Sequence, residues 1–178
     1  MAIICPSCCH ENIDGADTCE NCQHSLTGLK RPGHSQSPIG NAMIRDRIAS
    51  LDPRRPIAVP SDTSVAKVLQ MMQEKGVGSM LIVDDGKLIG IFSERDAVMR
   101  LGPDFGSYNN RPISEFMTSS PDTLTMENKV IFAVHKMALG GYRHIPIVSG
   151  ADLVGLVSIR DILRYTSDKL TAMDTAAE

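Results

Sequence analysis

Two pairs of cysteines near the start of this 178-residue chain carry its most specific chemistry. Cys5/Cys8 and Cys19/Cys22 are C-x-x-C knuckles with ten residues between them, and two knuckles can set four thiolates tetrahedrally around one zinc ion. A segment this short has almost no core, so metal binding would supply its folding free energy. The competing reading is two disulfides. No export signal precedes the cysteines, so a reducing compartment is expected and zinc is the better reading. Cys9, His10 and His24 stand close by and read as bystanders. No glycine follows the second cysteine of either knuckle, which stiffens both loops.

A second constellation occurs twice, as Ser93-Glu94-Arg95-Asp96 and Ser158-Ile159-Arg160-Asp161. Each follows an apolar run and opens a helical pattern. Ser-x-x-Asp is the spacing of a capping box, in which serine and acid satisfy backbone N–H groups at a helix start. The same groups can also face a ligand. A carboxylate at the first helical turn can accept both hydroxyls of a ribose, while the serine hydroxyl and free N–H groups suit a phosphate. Capping has no use for the arginine in third place, and a phosphate has. There is no Gly-x-Ser-x-Gly elbow, no phosphate-binding Gly-Lys-Ser/Thr loop and no complete Gly-x-Gly-x-x-Gly fingerprint. The expectation is a protein without catalysis of its own.

An internal repeat positions these groups. Gly90-Ile91-Phe92-Ser93-Glu94-Arg95-Asp96 returns 65 residues later as Gly155-Leu156-Val157-Ser158-Ile159-Arg160-Asp161. At the same offset Ile82 and Val83 match Ile147 and Val148, and Met72 matches Met137. Each unit reads β-α-β-β-α. In the first, Ile57–Val59 is extended and a helix capped at Asp62 or Thr63 places Val65, Val68, Leu69 and Met72 on one face before Gly76 ends it. Strands at 79–83 and 88–92 follow around an Asp-Asp-Gly-Lys turn, then a helix from Ser93 through Leu101. The second unit repeats the order: 122–124 extended, a helix at 128–139, strands at 144–148 and 153–157, and a helix from Ser158 to about Leu170. Asn41 is expected to cap a short helix carrying Ile44 and Ile48. The divisions are residues 1–28 as a zinc ribbon, 29–40 as a flexible linker that leaves the ribbon tethered and undocked, 41–111 and 112–170 as the repeats, and 171–178 as a disordered tail.

The duplicated unit, the two Gly-apolar-apolar-Ser-x-Arg-Asp ends, and Gly141-Tyr142-Arg143-His144-Ile145-Pro146-Ile147-Val148 together resemble a tandem pair of cystathionine-β-synthase (CBS) domains, a Bateman module. The resemblance spans about residues 44–170. The cysteine segment is similar to short N-terminal zinc ribbons. The resemblance implies an α+β fold in which two CBS repeats pack as a pseudo-two-fold pair. It also implies two clefts that bind an adenosine nucleotide (AMP, ADP or ATP) and further pairing into a homodimer. Carried over, one cleft joins Ser93, Arg95 and Asp96 to Thr123, Tyr142, Arg143 and His144. The other joins Ser158, Arg160 and Asp161 to Ala58, Val77, Gly78 and Ser79. Arg143 and His144 make the first cleft the more cationic.

A net charge of −3 gives no general attraction to nucleic acid or anionic lipid. No apolar run approaches the roughly 20 residues of a spanning helix, so a cytoplasmic protein is expected. The favoured function is a nucleotide-sensing regulatory module that signals occupancy to a protein partner. The alternative is an interaction protein whose ribbon, beside a basic stripe of Lys30, Arg31, Arg45, Arg47, Arg54 and Arg55, binds nucleic acid or protein while the repeats serve as a dimerisation scaffold.

Overall fold

The computed structural model describes residues 3–5, 8, 10–13, 16–24, 26 and 37–175. Cys9, Lys30, Arg31, most of the expected linker and residues 176–178 of the expected tail lie outside the described residues. In chain order the elements are β1 (Ile3–Ile4), β2 (Glu11–Asn12), α1 (Pro38–Arg45), β3 (Ala58–Val59), α2 (Val65–Lys75), β4 (Ser79–Asp84), β5 (Lys87–Ser93), α3 (Glu94–Asp96), β6 (Thr118–Ser119), α4 (Val130–Gly140), β7 (His144–Ser149), β8 (Asp152–Ser158) and α5 (Ile159–Thr175). They form two compact units. One comprises Met1–Pro53, Thr125–Arg143 and Val157–Glu178; the other comprises Arg54–Leu124 and His144–Leu156.

In the first unit β1 and β2 pair antiparallel over a small core of Ile3, Cys5, Cys19 and Leu26. The buried Asn12 amide donates to Ile3 O and His10 O, at 3.3 and 2.9 Å, and its Oδ1 accepts Glu20 N at 2.9 Å, which joins the two halves of the segment. The His24 ring meets the His135 ring of α4 edge-on with centroids 5.9 Å apart. The expectation of an undocked segment is therefore corrected: His24 rests against α4. Burial first, then the neighbouring His24, holds His135 below the ordinary imidazole range.

The helix expected to begin at Asn41 begins at Pro38 instead, within the stretch read as linker. Ser37 occupies the cap position and Pro38 the first helical position, where its fixed φ is pre-organised and its missing N–H costs nothing. Ile48 lies beyond α1 in a separate 3₁₀ turn, Ile48–Leu51. α1, α4 and α5 pack together. Asp46, at the end of α1, accepts Tyr165 Oη and Lys169 Nζ from α5, each at 2.8 Å. α5 itself continues through 171–175, so this part of the expected tail is helical. No glycine or proline interrupts Leu170–Thr175, and the Thr171 hydroxyl returns to Ser167 O at 3.1 Å.

The strands β3 to β8 form one sheet in the order β3-β4-β5-β8-β7, with β6 added on β5. β3 pairs parallel with β4, Ala58 opposite Leu81, and α2 makes the crossover between them. β4 and β5 form a hairpin whose Asp85 and Gly86 take φ of 49° and 75°, the left-handed values that a type I′ turn needs. β5 meets β8 at the single pair Lys87↔Asp152. Val59, Val65, Val68, Met72, Met80, Ile82 and Phe92 belong to the core of the second unit.

Two local expectations change in this unit. α2 is capped by Ser64, whose side chain accepts Lys67 N, instead of by Asp62 or Thr63. The helix expected from Ser93 to Leu101 keeps α-pitch only over α3; a π turn (Ala97–Leu101) and 3₁₀ turns (Gly102–Tyr108) follow, where Gly102 at φ 58° and Pro103 forbid a regular helix. In the 122–124 stretch Leu124 pairs parallel with Ile147, its N donating to Pro146 O at 3.1 Å and its O accepting Val148 N at 2.8 Å, as Val59 of β3 pairs with Ile82 of β4. β6 is an additional strand that pairs with Gly90 and Ile91. A Cβ at Gly90 would overlap the Met117 side chain, which would have to shift.

Candidate functional site

At the β5–α3 junction the chain enters the helix extended, with Ser93 at φ −125° and ψ 166°. Ser93 N and Oγ both donate to Asp96 Oδ2, at 2.9 and 2.6 Å, and Asp96 N reaches back to Ser93 Oγ at 3.4 Å. This is a complete capping box. The other carboxylate oxygen, Oδ1, faces two groups the spacing did not suggest. Thr118 Oγ1 donates to it at 3.1 Å, and Arg100 Nε lies 3.3 Å away. The β8–α5 junction repeats the design: Ser158 N and Oγ donate to Asp161 Oδ2 at 2.8 and 2.6 Å, and Arg164 Nη2 reaches Oδ1 at 3.1 Å. Asp161 is almost fully buried, at 1% exposure. Arg100 and Arg164 thus meet the carboxylates, and both are exposed, as Arg95 and Arg160 are.

The remaining expected residues divide between the two units. Ser93, Arg95, Asp96, Thr123 and His144 belong to one, and Tyr142 and Arg143 to the other. Thr123 lines a pocket of about 330 Å³ with Lys87, Ser120 and Gly150, which none of Ser93, Arg95 and Asp96 lines. His144 and Glu94 flank Gly78: a Cβ there would lie 3.4 Å from His144 Cε1 and 3.2 Å from Glu94 Oε2. Gly78 O also accepts Glu94 N at 3.1 Å, and at the corresponding position of the second repeat Arg143 O accepts Ile159 N at 2.9 Å. Position 78/143 is therefore fastened to the Ser-x-x-Asp junction of its own repeat. The Tyr142 ring lies over Gly140, where any Cβ would overlap it.

Of the second cleft, Ala58, Val77, Gly78 and Ser79 belong to the unit of the sheet, and Ser158, Arg160 and Asp161 to the other. Ser79 is 3% exposed, and its Oγ has no hydrogen-bond partner among the described residues. Such an orphan costs about 1–3 kcal/mol. Of the basic stripe, Arg45 lies 3.6 Å from Asp46, and Arg47 forms an ion pair with Glu127.

The four knuckle sulfurs lie within 4.8 Å of one another, Cys5 with Cys22 at 3.6 Å and Cys8 with Cys19 at 3.5 Å. These are not bonded pairs, since a disulfide measures about 2.05 Å. Four sulfurs about 2.3 Å from a central zinc stand roughly 3.8 Å apart, so the cluster has the size and donor set to hold a metal ion. Burial pushes the Cys19 thiol up, but N–H groups of Cys22 and Asn21 and the neighbouring thiols outweigh it and bring it to about 6. The Asn21 side chain lowers Cys8 in the same way.

Comparison with known proteins matches residues 48–102 and 113–168 to the CBS domain model. A CBS domain-containing protein of Arabidopsis thaliana is 26% identical over 153 residues, 85% of this chain; the chain spans 28% of that relative's length. Among solved structures, the CBS domain pair of protein MJ0100, in complex with 5′-methylthioadenosine and S-adenosyl-L-methionine, is 25% identical with a TM-score of 0.62, covering 69% of this chain and 97% of that one. A CBS domain protein from Pyrobaculum aerophilum complexed with AMP is 26% identical with a TM-score of 0.58, covering 65% of this chain and 88% of that one. No helix among the described residues is long and apolar enough to cross a membrane.

Proposed function

The chain belongs to the CBS domain family, and from that membership we propose that it is a regulatory module that binds an adenosine nucleotide and passes its occupancy to a protein partner, with no catalysis of its own. The observation that carries the reading is the duplicated junction: two carboxylates, in register with the repeat, each fixed at the first turn of a helix by the preceding serine. Fixing Oδ2 leaves Oδ1, which Thr118 and Arg100 meet at Asp96 and Arg164 meets at Asp161, as the acceptor for which a ribose hydroxyl would compete. The AMP and S-adenosyl-L-methionine of the two similar structures support an adenosine-bearing ligand.

The cysteine cluster is a structural zinc site in this reading, with Cys5, Cys8, Cys19 and Cys22 as its ligands. Zinc would cross-link the two knuckles, and a reducing cytoplasm keeps the thiols available for it. The repeat pair associates with a second copy, supported by the exposure of Val98 and Met99, at 72% and 73%.

A thermal-shift panel of AMP, ADP and ATP followed by calorimetry tests the ligand. A nucleotide at 100 times its Kd should stabilise the protein by about 2.7 kcal/mol. Asp96→Asn retains helix-start capping but loses charge-assisted bonds, so affinity should fall about tenfold to a hundredfold with the fold intact. Unchanged affinity in both Asp96→Asn and Asp161→Asn would reduce the two carboxylates to helix caps.

A further inference from the structure

We infer that Arg100 and Arg164 are matching clamps that tie each Ser-x-x-Asp carboxylate to the opposite repeat, and that a ligand taking the carboxylate unseats its clamp. The inference rests on the ligand reading above and states how occupancy leaves the site.

Arg100 stands one turn after Asp96. Besides the contact with Asp96 Oδ1, its Nη1 donates to Phe116 O at 3.1 Å and to Met117 O, and its Nη2 donates to Thr118 Oγ1 at 3.1 Å. Arg164 stands one turn after Asp161, and its Nη2 reaches both Asp161 Oδ1 at 3.1 Å and Leu51 O at 3.4 Å. The two arginines are not equivalent in the repeat, since one follows its aspartate by four residues and the other by three. The carbonyls they hold are equivalent. Leu51 and Phe116 are related by the same 65-residue offset as Asp96 and Asp161. Each lies at the end of the short 3₁₀ turn that opens its repeat, Ile48–Leu51 and Ile113–Glu115. The helix of the first repeat therefore grips the opening turn of the second, and the helix of the second grips the opening turn of the first. Reaching one connection from two registers points to a requirement of the site, because simple duplication would have kept the register.

At Asp96 the capping box uses Oδ2, while Thr118 and Arg100 meet Oδ1. A ribose hydroxyl donating to Oδ1 competes with both. Displacement takes the counter-charge from Arg100, and the guanidinium then holds the Phe116 and Met117 carbonyls without an anchor. β6 and the turn before it loosen, which converts occupancy in one repeat into mobility in the other.

Hydrogen exchange and calorimetry on the full chain with AMP as the probe test this. Saturating AMP should speed exchange of the 113–120 peptide at least about threefold. Arg100→Met should show the faster exchange without AMP and no further change with it. Thr118→Val, which keeps every Arg100 contact to carbonyls, should bind AMP about threefold to tenfold more tightly because one competitor for Oδ1 is gone; it carries the test if Arg100→Met does not fold. If AMP binds and Asp96→Asn weakens it, yet 113–120 exchange and the Thr118→Val affinity stay unchanged, the clamp is wrong and the ligand reading stands. If wild-type protein binds no AMP, ADP or ATP, the ligand reading fails and the clamp with it.

Discussion

Asp46 accepts a hydrogen bond from Lys169 that, with help from Tyr165, holds its carboxyl below the ordinary carboxylate range in spite of burial. Folding therefore favours the ionised form. That stabilisation is complete above the unfolded value of about 3.9 and fades as pH falls through the lower folded value. Asp46→Asn should cost about 1 kcal/mol at pH 7, since the site is partly solvated, and the gap to wild type should close below about pH 4. Thermal unfolding of both proteins from pH 7 to 2.5 would show it; a gap that stays constant would assign the loss to packing. Residues of this kind were the hardest to read in the sequence. Ser93 and Asp96 were legible because the box closes over three residues. Arg100 reads as an ordinary exposed helix cation, and Thr118 meets Asp96 from 22 residues away, so neither leaves a local signal. Gly90 is legible by its repetition, but its neighbour, the Met117 side chain, comes from 27 residues away.

Among the elements, α2 followed its apolar period closely: Val65, Val68 and Met72 are buried and Gly76 ends the helix at φ 60°. Only its start was displaced, because Asp62, Thr63 and Ser64 are all good caps and the sequence could not choose among them. Ser64→Ala should lower stability by about 0.5–1 kcal/mol, while Asp62→Ala should stay within about 0.5 kcal/mol. Denaturant melts decide it; equal losses would mean the cap is shared. The two Ser-x-x-Asp helices diverge for a legible reason, Gly102-Pro103 in one and an uninterrupted run to Thr175 in the other. β6 is different. Two residues carry no periodicity, and its existence depends on the free edge that Gly90 and Ile91 offer.

For the whole molecule, the 65-residue echo, the β-α-β-β-α order it repeats and the 141–148 stretch together make the family legible. The echo did not reveal that α4 and α5 would join the unit of the N-terminal segment while β7 joins the unit of the first repeat's strands. A repeat specifies its own order of elements, and which of them share a core is settled by packing. Metal analysis and light scattering on one sample test the assembled protein: a dimer carrying about one zinc per chain is expected. Metal-free protein with two intact disulfides would remove the zinc site, and a concentration-independent monomer in the presence of ligand would remove the dimer. The Asp46 contacts bear on this assembly in one more way. They fasten α1, the first helix after the cysteine segment, directly to α5, the helix that begins at the second junction. A partner that tugs on α1 would thus pull on α5, and one carboxylate would carry the load between the helix that precedes the first repeat's strands and the helix that follows the second's.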